Sequence, residues 1–517
     1  MLAKVNSMAV VGLESYPVEV EVDIGQGLPA LNIVGLPDKA VEESKERVRS
    51  AIKNSGALFP MSRITINLAP ADLKKEGPAY DLAIAVGVLA GDKQIKLSEE
   101  DLISSIFIGE LALNGSLRHT KGILPIVMSC VPRGIKKIFI PEVNAREASL
   151  IENIEIIPIK NLRDLILHLK NEKLINSYIR PKNLSQASNL EFEYDFAYIK
   201  GQEQAKRALE IAAAGAHNIL LSGPPGSGKT MLAKSFPSIL PSLTKDEILE
   251  ATKIYSIAGN LPSDNPLVCQ RPFRSPHHTA SHIALVGGGA WPSPGEISLA
   301  HRGVLFLDEF PEFPRSVLES LRQPLEDGIV TVSRAQGSLT FPAKFILIAS
   351  QNPCPCGYLS DPVKQCICTP SQVLRYQKKI SGPLLDRIDL HIEVPRIKYE
   401  KLAKEDVAEK SELVRQRVNS ARNIQRKRFR LDVDNIRKKS IYTNAEMRPQ
   451  DIKKFCQLDE ASKDILKQAV NQLNLSARAY HRVLKLARTI ADLEKSENIL
   501  SSHIAEALQY RPKEKRY

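Results

Sequence analysis

The segment Gly223-Pro224-Pro225-Gly226-Ser227-Gly228-Lys229-Thr230 constrains the fold of this 517-residue chain more than any other feature. It fits G-x-x-x-x-G-K-[ST]. Asn218–Ser222 before it reads as a short buried strand, and Met231–Phe236 after it as a continuing helix. Strand, glycine-rich loop and helix in that order call for an α/β domain built on a parallel sheet. The glycines let backbone N–H groups curl around phosphate oxygens at a helix N-terminus. Lys229 supplies a point charge to the β- and γ-phosphates of ATP, and Thr230 offers its hydroxyl to Mg²⁺.

Two further strands complete the pattern. Gly303-Val-Leu-Phe-Leu-Asp308-Glu309 is an apolar run ending in two acids, the form of a buried parallel strand with carboxylates at its C-terminal edge. Asp308 there would hold Mg²⁺ through water, and Glu309 would polarise an attacking water. Phe345–Ser350 is a second buried strand, followed by Gln351-Asn352. The Asn352 amide could sense a γ-phosphate or position water; a plain Asn-Pro turn is the alternative.

A chain of this length exceeds one hydrophobic core and predicts two to four domains. Residues 1–172 read as an α/β unit. Val18, Val20 and Val22 alternate with acids in a half-exposed strand. Asp38 can cap a helix with Val41, Val48 and Ile52 on one face. Arg63–Leu68 and Ile135–Ile140 read as strands and Asp81–Ala90 as a buried helix. Residues 173–195 are polar and lack periodicity, as a linker would. A second α/β pattern covers 196–395, and basic helical patterns cover 396–517.

Hydrophobic residues at 43% and charged residues at 25% are an ordinary globular balance. The longest apolar stretch, Leu82–Ala90, is too short to span a bilayer. The first residues lack a signal-peptide core, so a cytoplasmic protein without membrane partners is expected. Net charge is +12, and residues 396–517 hold 29 Lys+Arg against 17 Asp+Glu, which leaves the first 395 residues neutral. Such asymmetry points to a polyanion partner or to a lysine-rich solvated face. Residues 411–440 hold ten Lys+Arg against three acids, with Val414, Val418 and Ala421 marking a buried face. Arg415, Arg417, Arg422, Arg426 and Arg428 then lie on the other faces, suited to phosphate contacts.

Seven cysteines do not make a disulfide scaffold. Four of them, Cys354, Cys356, Cys366 and Cys368, form C-x-C, nine residues, C-x-C, in an insertion over 354–368. Four thiolates on two turns can close a tetrahedral Zn²⁺ site; a redox pair or four reduced thiols are the alternatives. The basic segment 271–289 contains Arg271, Arg274, His277, His278 and His282. His278 and His282 have i, i+4 spacing but no adjacent Glu and no third ligand, so the segment reads better as a channel-facing loop or as packing beneath the nucleotide site.

Taken together these motifs resemble an AAA+ ATPase of the magnesium-chelatase-like branch, and in detail the YifB/ComM family. The likeness covers essentially the whole chain and is most specific at Arg271–Gly289, Pro294–Glu309, Gln351–Gly357, Ser381–Asp389 and Leu475–Leu493. It implies a multidomain α/β protein: a Lon-protease-like domain, an AAA+ core with a parallel sheet, and a C-terminal helical lid. It implies that Arg387, in GPLLDRID, is an arginine finger acting across a subunit interface, with an ion pair to Asp386 or Asp389 as the bland alternative. It implies that Arg478 is a second sensor, swung from the lid onto the nucleotide. The Lon-like turn reads Glu76-Gly77-Pro78-Ala79, so the nucleophile position is Ala79 and the base position Leu124, with Lys121 nearby. Without a hydroxyl no acyl-enzyme can form, and a non-proteolytic scaffold is expected. The resemblance further implies a hexameric, ATP-driven DNA helicase promoting branch migration during recombination and natural transformation. A chelatase-type ring that remodels a protein partner is the competing reading.

Overall fold

The computed structural model describes residues 2–96, 98, 102, 104–180, 192–261, 266–289, 292–334, 337–359, 361–397, 408–430, 441–473 and 475–511. The chain forms two compact units: Met1–Gln186 with Ile248–Val268, and Ala187–Glu247 with Cys269–Tyr517. Residues 181–191 of the expected linker lie outside the described residues.

In the first unit, strands Leu2–Val11, Glu14–Gly25, Arg63–Ala69 and Ala30–Val34 lie in that spatial order. The first three pair antiparallel and the last pair is parallel. Val18, Val20 and Val22 are buried, as their alternation with acids requires. Asp38 accepts from the Val41 amide at 2.7 Å. The helix it starts breaks at Glu43 and resumes over Ser44–Asn54. The uniformly apolar helix Asp81–Gly91 is buried along almost its whole length, as a helix without a polar face must be. Asp81 at its start is held by Ser44 Oγ at 2.5 Å and Arg47 Nε at 2.7 Å. A parallel sheet of Ser105–Phe107, Lys137–Pro141 and Glu155–Ile159 follows. Its middle strand starts two residues later than the pattern suggested, because Ile135 N still bonds back to Cys130 O at 3.2 Å.

Residues 248–268, inside the stretch expected to form the second domain, pack with the first unit. A buried carboxylate explains why. Glu147 accepts from Ser256 Oγ at 2.5 Å and from Leu124 N at 2.9 Å, while Gly122 N donates to Ser256 O at 3.2 Å. Leu124 is fully buried and Ala79 packs against the apolar core beside it. The Lys121 stem lies against Gly259.

The second unit carries a five-stranded parallel sheet. Its spatial order is Phe273–Arg274, Val304–Leu307, Ile346–Gln351, Ile219–Ser222, Leu390–Glu393. Val304–Leu307 is buried throughout, the signature of a central parallel strand. Helices Ser411–Arg430, Pro449–Phe455, Glu460–Gln472, Ala477–Leu493 and Ser501–Gln509 supply side chains to the same apolar core as the sheet.

The structure corrects the picture of Ser411–Arg430 as an arginine face open to phosphates. Val414, Val418 and Ala421 are buried as expected. Arg417, however, pairs with Glu210 at 2.5 Å and Glu409 at 2.5 Å. Arg422 is buried and donates to Ala213 O at 2.9 Å. Arg428 is bound to Asp492. Arg422 is buried and Arg428 largely so, and buried guanidinium groups need partners; Arg417 is exposed but already paired. Among the described residues, no helix is long and apolar enough to cross a membrane.

Candidate nucleotide site

The parallel sheet brings the sequence-predicted phosphate residues together at its C-terminal edge, where open α/β sheets bind ligands. The strand Ile219–Ser222 ends in the glycine loop, and the helix Lys229–Ser235 leaves it. Gly228 takes φ +91° at the helix N-cap, a left-handed conformation that glycine adopts without strain. Lys229 is buried and its ammonium donates to Gly223 O at 2.8 Å, Pro224 O at 2.9 Å and Asn352 Oδ1 at 3.2 Å. Burial lowers its pKa from the usual lysine value, opposed by the charge of Asp308. Asn352 therefore lies beside the Lys229 ammonium, at the edge of the phosphate loop.

Thr230 Oγ1 donates to Asp308 Oδ2 at 2.9 Å. This hydroxyl–carboxylate pair comes from different elements and has the oxygen chemistry that suits Mg²⁺. Ser350, which the sequence reading did not single out, donates to the other Asp308 oxygen. Its signal lay in strand register: Leu307 pairs with Ala349, so the next residues along, Asp308 and Ser350, meet. Glu309 takes φ +52° and its carboxylate lies 3.3 Å from His278 Nδ1. His278 stacks on His277 with centroids 4.1 Å apart. It thus contacts the expected catalytic carboxylate and makes no pair with His282. Arg271 and Arg274 are also engaged internally, with Glu247 at 3.2 Å and Glu296 at 2.6 Å. Of the two readings of segment 271–289, the geometry gives these arginines the packing role.

The site fits a nucleotide. Ser227 Oγ, inside the loop, is buried without a partner, an orphan a ligand oxygen can satisfy. Beside the loop is a cavity of about 320 Å³ lined by Tyr198, Ile199, Gln202, Met231, Leu232 and Ile397 among others. Its apolar lining suits a purine ring. The sequence reading missed these residues because nothing local marks Tyr198–Gln202 as facing the loop.

Arg387 and Arg478 lie elsewhere in the same unit. Arg387 donates to Pro383 O at 2.6 Å and to Glu326, and Arg478 donates to the other Glu326 oxygen at 3.2 Å. Neither of the flanking acids holds Arg387. Asp386 pairs with Arg482 at 3.4 Å and Asp389 with His217 at 3.3 Å.

Cys354, Cys356, Cys366 and Cys368 converge, with sulfurs all within 4.8 Å of one another. The distances are 3.4 Å for Cys354–Cys356, 3.7 Å for Cys354–Cys366 and 3.6 Å for Cys356–Cys366. A disulfide needs about 2.05 Å, whereas Zn–S bonds of about 2.3 Å in a tetrahedron place sulfurs about 3.8 Å apart. Burial pushes the Cys354 thiol up to about 12. Burial is the largest single influence on Cys356 and pushes its thiol up, but the Tyr358 and Ile367 amides and the Cys354 and Cys368 thiols together bring it down to about 6. This is the one cluster of metal-ligating type among the described residues.

The cysteine turn also touches the phosphate loop. Gly357 has φ +86°, and a Cβ there would stand 2.6 Å from Pro225 Cδ and 2.7 Å from Pro225 Cγ. Gly357→Ala should cost about 1–3 kcal/mol of backbone strain and push the two turns apart. The expected result is a KM for ATP raised about tenfold with unchanged circular dichroism; steady-state kinetics checks it.

Comparison with known proteins agrees with this geometry. Family models described as Magnesium chelatase, subunit ChlI, as Subunit ChlI of Mg-chelatase, and as Magnesium chelatase, subunit ChlI C-terminal match residues 195–402, 20–144 and 408–511. The chain is 44% identical over 514 residues to a protein of Escherichia coli called Uncharacterized protein YifB, covering 99% of this chain and 97% of that one. It is 43% identical over 516 residues to the Competence protein ComM of Haemophilus influenzae, with the same coverage. It is also similar to Lon protease 2 of Bacillus subtilis, at 27% identity over 191 residues and 33% of each chain. Full-length identity, a phosphate loop on a parallel sheet and a helical C-terminal region concur: the chain belongs to the YifB/ComM family of magnesium-chelatase-like AAA+ ATPases.

Proposed function

We propose that this protein is a cytoplasmic, hexameric ATP-driven motor that grips DNA and promotes branch migration in recombination and natural transformation. The observation that carries the ring is the division of the site. Lys229, Thr230, Asp308 and Asn352 are joined in one cluster, while Arg387 and Arg478 are held together on Glu326. A site that keeps its charge-stabilising arginines apart from its phosphate loop is completed by a neighbouring copy. Arg387 serves as the finger. Arg478 stands beside it, so both act on the neighbour's nucleotide.

Each remaining residue then has a task. The loop Gly223–Thr230 and the cavity by Ile199 and Met231 hold ATP. Lys229 releases its own carbonyls to meet phosphate oxygens. Thr230 and Asp308 hold Mg²⁺, which neutralises phosphate charge when bound. Glu309 leaves His278 to take a proton from the attacking water, which Asn352 positions.

DNA as the load is supported by the basic excess in 396–517 and by the relative named a competence protein. The magnesium-chelatase family models favour the second reading, a ring that remodels a protein partner. Steady-state ATPase with single-stranded and branched DNA at several salt concentrations separates the two. A DNA motor is stimulated, and less so as salt rises; a rate indifferent to DNA sinks the helicase reading.

Apart from 248–268, which pack with the first unit, the domains divide as 1–172, linker 173–195, core 196–395 and lid 396–517, the first being a non-proteolytic scaffold whose Ala79 and Leu124 carry no acyl-transfer group. The four cysteines bind one structural Zn²⁺ as thiolates, a reading supported by the convergence of their sulfurs within 4.8 Å of one another. Elemental analysis of purified protein should find about one zinc per chain, and Cys354→Ser together with Cys366→Ser should remove it. Metal-free protein with native melting behaviour would refute the site.

A further inference from the structure

We propose that Glu326 is an intramolecular anion that occupies the arginine site of the lone chain and yields it to the γ-phosphate of a nucleotide on a neighbouring copy. This rests on Arg387 acting in trans.

Two guanidinium groups from separate elements converge on one carboxylate. Arg387 follows the short helix Gly382–Leu385 and binds one Glu326 oxygen. Arg478 lies in the first turn of Ala477–Leu493 and binds the other at 3.2 Å. An arginine pair that grips two carboxylate oxygens presents the donors a phosphoryl group needs. The carboxylate therefore stands in the place of a phosphate.

The surroundings are not satisfied by Glu326 alone. Arg387 Nε, Arg482 Nε and Thr443 Oγ1 are buried without partners, and all three residues line one cavity of about 640 Å³ that also receives Glu326. Arg482 spends its other donors on Ile388 O at 2.8 Å and Asp386 at 3.4 Å. A ligand with more oxygens than a carboxylate would use what Glu326 leaves idle.

Glu326 is suited to being displaced. It lies in the last turn of the helix Arg322–Asp327, where the helix dipole disfavours an acid, so the arginines are what hold it there. It is also half exposed, and ion pairs of that kind are weak. A triphosphate carries more charge and more acceptors and takes the arginines over. The consequence is that the finger is masked until a neighbour bearing nucleotide arrives, which ties hydrolysis to ring closure.

The test is the ATPase rate of the full-length protein, at saturating Mg-ATP, as a function of protein concentration. Glu326→Gln keeps the size and removes the charge. Glu326→Asp keeps the charge and withdraws the carboxylate from the arginines. Both should reach half-maximal rate at about threefold lower protein concentration than the unsubstituted chain. Arg387→Ala should stay near background at every concentration. Midpoints unchanged or raised in both Glu326 variants, with Arg387→Ala inactive, overturn the role of Glu326 and leave the finger standing. An Arg387→Ala protein as active as the unsubstituted chain overturns the finger itself.

Discussion

Glu309→Gln should bind ATP with near-native affinity and hydrolyse it roughly 10²- to 10⁴-fold more slowly, the range ascribed to a positioned general base. The carboxylate lies outside the cluster that would hold phosphates; its recorded partner is His278 at 3.3 Å. The amide is the same size, so the loop, Lys229 and the Thr230–Asp308 pair are untouched. Only the capacity to accept a proton is lost. Binding without turnover should trap the nucleotide-loaded ring, so the variant is expected to run as a stable large assembly in gel filtration with ATP. Fluorescent-nucleotide titration beside steady-state hydrolysis checks both halves. Normal hydrolysis by this variant would remove Glu309 from the role of base.

Lys229→Ala should instead abolish binding. The ammonium is buried and makes three hydrogen bonds, to Gly223 O, Pro224 O and Asn352 Oδ1. Its removal leaves two loop carbonyls and one amide oxygen without their donor, at about 1–3 kcal/mol for each group that stays buried. It also takes away the charge that would face the β- and γ-phosphates of a bound nucleotide. A loss of about 100-fold in ATP affinity follows, since two charge-assisted hydrogen bonds to phosphate at about 1.5–3 kcal/mol each exceed the roughly 2.7 kcal/mol that 100-fold represents. The two variants therefore separate binding from hydrolysis: one keeps ATP and stalls, the other never loads it. Lys229→Ala retaining nucleotide would show that the loop is held by its backbone donors alone.

The nucleotide site was legible because its chemistry is local. A phosphate loop needs glycines and a lysine at fixed offsets, and a buried strand ending in two acids needs an unbroken apolar run; both survive in any one-dimensional reading. Asp38 as a cap and the buried face of Val41, Val48 and Ile52 were legible for the same reason. What the chain concealed depends on partners far away in sequence. Ser350 reaches Asp308 only through strand register. His278 reaches Glu309 only after the fold has returned it to the sheet edge. The packing of 248–268 with the first unit rests on contacts such as Ser256 with Glu147 and with the Gly122 amide, more than a hundred residues apart in sequence.

The arginines show the opposite error. Arg417, Arg422 and Arg428 looked available for phosphates because a helical wheel cannot see Glu210, Ala213 or Asp492 arriving from other elements. Composition counts charges but does not say which are already neutralised. If the proposed DNA partner binds 396–517, its surface is better sought among basic residues other than these three.

The most direct test of an ATP-driven DNA motor is strand displacement from a branched junction carrying one labelled strand, with the unsubstituted chain and Glu309→Gln side by side. The unsubstituted chain should release the labelled strand with ATP and not with a non-hydrolysable analogue, while Glu309→Gln binds the junction and releases nothing. Brisk hydrolysis of ATP on the junction with the labelled strand left in place would contradict the motor reading and direct attention to a protein substrate.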